Sequence, residues 1–375
     1  MSLPFTSPFP SSATAPPPLP GGFAEGLKDV VLPDPLGFGK LMAPVMAIAH
    51  YRDGSWETPR LAELGPLDLA PHTQALHYGQ AIFEGMKAYR NLGADGGPPL
   101  LFRPYEHARR FNRSALRLGM PEIDERVFVR ALEELVAVLE PFVPARGGQS
   151  LYLRPTMFGA TADLSVVPST EFCFVVLATP SDAFFTTPVS AWIERHYSRA
   201  GAGGTGCVKA AGNYAASFAA AAPLRENGFH QLLWLDAVEH RYLEEFTAMN
   251  VFVRRGDLLY TPPLSDTILA GITRDSLLTL GPSLGLKMEE RPVDIHELTD
   301  AIRAGEDVEV FGCGTGAVVA PVELIGDETG MRLPLPSQDT ALELRGRLLD
   351  IQHGTTGAPD GWQHTVAPLP DGPQA

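Results

Sequence analysis

Cysteine is scarce in this chain. Cys173, Cys207 and Cys313 are the only three, they lie far apart, and no two of them form a CxxC pair. An odd, scattered set argues against a disulfide framework or a zinc site, so no metal is expected and a reducing, cytoplasmic compartment is the natural setting. Long apolar runs are missing too: none reaches the roughly 20 residues of a membrane helix. Positive charge is in deficit, with 29 Lys and Arg against 44 Asp and Glu and a net charge of −15. Such a chain has no overall attraction to nucleic acid or to an anionic membrane, and a small acidic ligand would need a local basic site. The first 22 residues lack a basic segment and an unbroken apolar core, so they form no ordinary signal peptide. Their Pro and Ser content predicts a disordered tail over residues 1–30.

At 375 residues the chain is long enough for two domains, at about 150 residues each. Short apolar runs at 43–51, 150–155, 171–178, 231–235 and 250–254 read as strands, and the second half of the chain opens at 191–197. Apolar spacings of three and four predict amphipathic helices over 106–118 and 125–139, the first ending at Gly119 and the second stopping before Pro141. An alanine-dense helix is expected over 214–227, kinked or shortened by Pro223. Further helices are expected at 268–280, 295–304 and 341–352. The segment TPSDAFFTTPVS reads as a connection. It divides the chain into a small α/β domain at 31–180, a linker at 181–190 and a larger domain at 191–375.

Lys209, in VKAAGNYAASF, has Gly, Ala and Val around it and no carboxylate nearby in sequence. A neutral amine attacks carbonyls to form a Schiff base, and an apolar setting favours the neutral form. By itself such a lysine is more often a solvated surface residue. Tyr214 follows a Gly-Asn turn at a helix start, where its phenol could donate to a ring oxygen or simply pack. In LEEFTAMNVF, Glu244 and Glu245 precede an apolar strand, so strand alternation sends one inward and one outward. A buried carboxylate requires a cationic partner, and a protonated pyridine nitrogen would be one. AGITRDSL places Ile272 and Thr273 at a helix start that favours anions. FGCGTGAVVAP places Thr315 in a Gly-rich turn. Neither segment matches a nucleotide fingerprint. Arg110 could give a phosphate its fixed charge, although Arg109, Arg113 and Arg117 share its helix.

Seven blocks, HYGQAIFEGMKAYR, LFRPYEHARRFNRSALRLGMP, LYLRPTMFG, VKAAGNYAAS, QLLWLDAVEHRYLEEFTAMNVF, LAGITRDSLL and FGCGTGAVVAPV, occur in order and together resemble the branched-chain amino acid aminotransferases of pyridoxal-phosphate fold type IV. The resemblance implies an α/β (α+β) fold with a smaller open sandwich and a larger pseudo-barrel, pyridoxal 5'-phosphate as cofactor, and a homodimer. It implies Lys209 as the Schiff-base and catalytic lysine and Tyr214 as the partner of the phenolic oxygen. Glu245 takes the pyridine-nitrogen position, five residues before Asn250, which leaves Glu244 as the outward neighbour. Arg110, Ile272, Thr273 and Thr315 are implied as phosphate contacts. Phe38, Tyr78, Phe83, Tyr152, Arg154, Gly316 and Ala317 are implied around the substrate. An aromatic and aliphatic wall suits leucine, isoleucine and valine, and Arg154 would take the side-chain carboxylate of glutamate or 2-oxoglutarate. Mammalian relatives carry a CxxC where this chain has Ala317 and Ala320, so no thiol switch is expected there. A D-amino acid aminotransferase, an aminodeoxychorismate lyase and a non-catalytic binding protein of the same fold are the competing readings.

Overall fold

The computed structural model describes residues 26, 27 and 29–368. The tail expected to be disordered falls largely on residues 1–25, outside the described residues. The chain divides into two compact units. One takes the described residues through Asn91, then Asp95–Asp182 and those from His364 onward; the other takes Leu92–Ala94 and Ala183–Gln363.

The first unit is built on a nine-stranded sheet. Its spine is Ser150–Gly159, paired antiparallel along its whole length with Phe172–Ser181, which in turn pairs with Val45–Arg52. The helices Pro104–Arg117 and Glu125–Val138 bury their apolar stripes on this sheet. Phe111, Phe128 and Phe174 meet there with ring centroids 5.3–5.8 Å apart. Asp124 starts the second helix by accepting from the amides of Arg126 and Val127, which answers two of the donors that a helix start leaves open. The expected second domain runs unbroken to residue 375. Instead the strand Gln363–Thr365 pairs beside Leu100–Phe102, and Val366 is buried in the first unit's core with its amide on the Pro99 carbonyl. One apolar side chain after a run of polar ones is too weak a signal to reveal that return.

The second unit closes into a barrel. The strands Leu243–Phe246, Gln231–Leu235, Val189–Glu194, Val318–Gly326, Val308–Gly314 and Asn250–Arg255 follow one another, and the last pairs back on the first. Closure runs through the residue pair Glu245↔Asn250. Closing a sheet removes its edges and leaves an interior for side chains. Leu233, Phe246, Val251, Val310 and Ala320 fill it, among others. The alanine-dense helix expected over 214–227 is not continuous. It forms two single turns, Gly212–Ala215 and Phe218–Ala221, followed by turns to Gly228. Ser217 Oγ donates back to the Tyr214 carbonyl at 2.7 Å, and Pro223 has no amide to continue the ladder.

Candidate active site

Lys209 lies in a loop that its own neighbours tie down. Asn213 Nδ2 donates to the carbonyls of Thr205 (2.7 Å) and Val208 (2.9 Å), and Thr205 Oγ1 donates to Asn213 Oδ1 at 2.7 Å. This staple holds residues 205–213 in a closed curve, with Lys209 half-buried on it. Lys209 Nζ donates to Tyr214 Oη at 3.0 Å. The loop is fastened again from outside: Arg199 Nη2 donates to the carbonyls of Gly206 and Thr267, and the Cys207 amide to that of Asp266. A Cβ at Gly206 would come within 2.7 Å of Thr267 Cα and 2.8 Å of its carbonyl oxygen. Only glycine permits that approach.

Glu245, on the strand that closes the barrel, is buried. Its Oε1 accepts from Asn250 Nδ2 at 3.1 Å and from the Leu269 amide, and Arg199 Nε lies 3.4 Å from its Oε2. Burial raises its pKa to about 7. The charges of Arg199 and Lys209 and the Leu269 amide pull the other way, and Glu244 adds to the rise. The donors it has therefore do not fully hold its charge, and a cationic ring nitrogen is the partner that such a carboxylate would accept. The site's chemistry fits a pyridoxal group on three counts: an amine next to a phenol, a buried carboxylate whose charge its neighbours do not fully hold, and a helix start beside that carboxylate.

The cradle assembles around Asn250. Its Nδ2 also donates to the Leu269 carbonyl at 2.9 Å. A Cβ at Gly271 would overlap Asn250 Oδ1, so the helix Ile272–Leu280 starts directly against that side chain. Ile272 and Thr273 are buried in its first turn, where the backbone amides point out of the positive end. Asn250 pairs with Cys313, which carries the hairpin turn of Thr315, Gly316 and Ala317 to the same neighbourhood. Val318, closing that turn, has φ 62°, a conformation that a β-branched residue adopts only under constraint.

The remaining expected residues belong to the first unit. Arg110 is buried, with Nε and Nη2 donating to the two oxygens of Glu84 at 2.7 and 2.8 Å. Arg109 is exposed and bridges Glu106 and Glu125 on the surface. Phe38, Phe83, Tyr152 and Arg154 form one cluster. The Phe38 and Tyr152 rings meet edge-on at 5.0 Å, the Arg154 guanidinium lies 4.7 Å from the Phe83 ring centre, and Arg154 Nη2 donates to Tyr152 Oη at 3.0 Å. Tyr152 and Arg154 are two apart on a strand and so share a face. A Cβ at Gly85 would overlap the Tyr152 hydroxyl. Tyr78 is held elsewhere, exposed at the end of the helix Gln74–Tyr78, with its hydroxyl on the Leu164 carbonyl.

A family model, amino-transferase class IV, matches residues 81–325. The chain belongs to the class IV aminotransferases. A branched-chain-amino-acid aminotransferase of Mycolicibacterium smegmatis is 43% identical over 349 residues, covering 90% of this chain and 94% of the relative. The branched-chain-amino-acid transaminase 1 of Bacillus subtilis is 40% identical over 339 residues, covering 88% and 94%. Among solved structures, the branched-chain aminotransferase of Thermoproteus uzoniensis with norvaline superposes with TM-score 0.71 at 25% identity, covering 86% of this chain and all of that one. The T.th. branched-chain amino acid aminotransferase with pyridoxamine 5'-phosphate gives 0.70 at 26%, covering 86% and 98%.

In this class IV aminotransferase, Arg199, Asn213, Asn250, Thr267 and Glu84 hold the expected residues in place, a role that, Asn213 apart, residue type and spacing do not announce. Asn213 stood in the quoted Gly-Asn turn, and a local Asn staple was its readable signal. Arg199 lies ten residues before Lys209 and its use is purely tertiary. Glu244 is a correction. Expected as the outward neighbour, it is 6% exposed, because the residues 265–269 cover that face of the strand and Thr267 donates its hydroxyl to Glu244 Oε1.

Proposed function

We propose that this protein is a branched-chain-amino-acid transaminase, moving the amino group reversibly between leucine, isoleucine or valine and 2-oxoglutarate, with pyridoxal 5'-phosphate as cofactor. The observation that carries the reading is Lys209 Nζ on Tyr214 Oη at 3.0 Å, with the underpaired carboxylate of Glu245 in the same unit. Relatives 38–43% identical over about nine-tenths of the chain all bear the branched-chain name, which leaves the D-amino acid, lyase and non-catalytic readings without support.

Bound pyridoxal phosphate supplies an electron sink for the charge released when a substrate's α-proton leaves. The work of the chain's own residues follows from their surroundings. Lys209 Nζ holds the proton removed from the α-carbon and returns it, as general base and then acid. Tyr214 orients that amine. Glu245, held by Arg199, Asn250 and the Leu269 amide, would pair with the ring nitrogen of the bound cofactor. Ile272, Thr273 and Thr315 would hold the phosphate, and the resemblance gives Arg110 of the first unit the same role. The family resemblance gives the substrate's apolar side chain to Phe38, Phe83 and Tyr152 of the first unit and to Gly316 and Ala317 of the second, and its distal carboxylate to Arg154; Tyr78, which the resemblance also gives to the substrate, has its hydroxyl on the Leu164 carbonyl. Two substrates using one amine carrier in turn predict ping-pong kinetics.

Among the described residues no helix is long and apolar enough to cross a membrane. The three cysteines are free, with Cys173 and Cys313 buried, and we propose a cytoplasmic protein. We further propose a homodimer, to be checked by light scattering on the purified protein. Turnover with L-leucine and 2-oxoglutarate, set against D-alanine and aminodeoxychorismate, tests the activity. Lys209→Ala should abolish both turnover and the visible absorbance of the holoprotein, and survival of either would refute the assignment.

A further inference from the structure

Two adjacent carboxylates are both buried on the strand Leu243–Phe246, although strand alternation sends them to opposite faces. Glu245 serves the face described above. Glu244 meets the hydroxyl of Thr267. Thr267 belongs to the segment that holds the rest of the site. Its carbonyl accepts from Arg199, Asp266 next to it accepts from the Cys207 amide, and Leu269 two residues on donates to Glu245 and accepts from Asn250. The segment then passes through Gly271, packed on Asn250, into the cradle helix.

We propose that Glu244 is a positioning residue: by holding the Thr267 hydroxyl it pins residues 265–271, and through their Leu269 amide and Gly271 it sets Glu245 and the first turn of the helix Ile272–Leu280. The inference rests on Glu245 serving the cofactor's ring nitrogen and that first turn serving its phosphate. The segment is tied through its backbone by Cys207, Arg199 and Asn250, and Glu244 adds the hold on the Thr267 side chain. Ser265 caps it locally, with its hydroxyl 2.9 Å from Thr267 Oγ1, and Glu244 on the barrel strand takes the Thr267 hydroxyl while Arg199 takes its carbonyl. Its other oxygen, Oε2, has no hydrogen-bond partner among the described residues. Burial raises the pKa of Glu244 against the pull of the Thr267 hydroxyl and Arg199, and Asp236 adds to the rise. The groups facing the pair are thus Arg199, Lys209, Asp236, Thr267 and Asn250.

The test uses the holoprotein with two readouts besides turnover: the pH midpoint of its visible absorbance, and the rate at which cofactor leaves on dilution into a trap. Glu244→Ala and Thr267→Val should each speed cofactor loss by about tenfold, equivalent to ~1.4 kcal/mol, within the range for one buried hydrogen bond, and should move the midpoint in the same direction. Their double variant should be no worse than Glu244→Ala alone. Glu244→Gln, whose carbonyl still accepts from Thr267, should stay within about twofold of the parent. If both single variants retain cofactor and midpoint, the inference is overturned. It is equally overturned if Gln is as damaging as Ala, since charge rather than the bond would then be at work. Should Glu244→Ala fail to fold, Thr267→Val alone decides. Glu245→Gln is the control for the underlying reading: an unmoved midpoint there would remove the assignment of Glu245 and this inference with it, whereas a moved midpoint beside inert Glu244 and Thr267 variants would remove the inference alone.

Discussion

Glu245 and Asn250 face each other in the residue pair that closes the second unit's barrel, and Asn250 Nδ2 donates to Glu245 Oε1 at 3.1 Å. The same amide nitrogen reaches the Leu269 carbonyl, and Gly271 packs on the same side chain. One asparagine thus joins the barrel seam, the carboxylate assigned to the ring nitrogen and the start of the anion cradle. Asn250→Ala should leave Glu245 and the Leu269 carbonyl short of a donor and cost ~1–3 kcal/mol of stability. Denaturant unfolding of the holoprotein and cofactor titration should both register the loss, and Gly271→Ala should weaken cofactor binding through the same contact from the other side.

The pH dependence of stability carries a signature of Glu245. Its folded pKa, about 7, lies above the ordinary value of 4.5. The folded chain therefore holds a proton that the unfolded chain has lost, and this group's contribution falls as pH rises from 4.5 to about 7, then stays level. Without cofactor, Glu245→Gln should gain stability relative to the parent across that window, by up to about 3 kcal/mol at its upper end. The difference between the two unfolding curves, followed from pH 4.5 to 8, isolates this group from the other carboxylates. Bound cofactor should reduce the slope, since a ring cation pairs with the carboxylate.

Glu84 has the opposite sign. Burial alone would raise it, but the Arg110 charge and hydrogen bonds, with those of His107 at 2.9 Å, hold it well below the usual carboxylate range. Its contribution is fully present above pH ~4.5 and falls away progressively as pH drops below that value. Removing one partner of a buried ion pair leaves the other uncompensated. Glu84→Leu should therefore cost ~3–5 kcal/mol near neutral pH, read by thermal or denaturant unfolding, and should weaken cofactor binding if Arg110 serves the phosphate.

Substrate discrimination should rest on the first unit's aromatic cluster. Arg154→Leu should raise KM for 2-oxoglutarate and glutamate by at least about tenfold, the scale of a charge-assisted bond, with a smaller effect on leucine. Gly85→Ala would displace the Tyr152 hydroxyl that Arg154 uses and should raise KM in the same direction while leaving the visible absorbance of the holoprotein unchanged. Steady-state kinetics with each substrate varied in turn would check both; equal losses for leucine and 2-oxoglutarate would contradict the role given to Arg154.

Much of the fold was legible because it is local. The helices near 106–118 and 125–139 and the strands at 231–235 and 250–254 follow from apolar spacing within one element, and they appear as Pro104–Arg117, Glu125–Val138, Gln231–Leu235 and Asn250–Arg255. The broken helix after Tyr214 was not legible, since alanine propensity is weak against a Ser217 back-bond and Pro223. Likewise Lys209, Tyr214 and the Gly-rich turns announced themselves by residue type, and the order of seven motifs marked the family. What only the tertiary structure decided is which charges are buried and against what. Glu244 looked outward by alternation until residues 265–269 covered it, Arg110 rather than Arg109 went inward, and Arg199 came to lie at Glu245. Burial is a property of distant segments brought together, and a carboxylate's charge state depends on that burial more than on its neighbours in the chain.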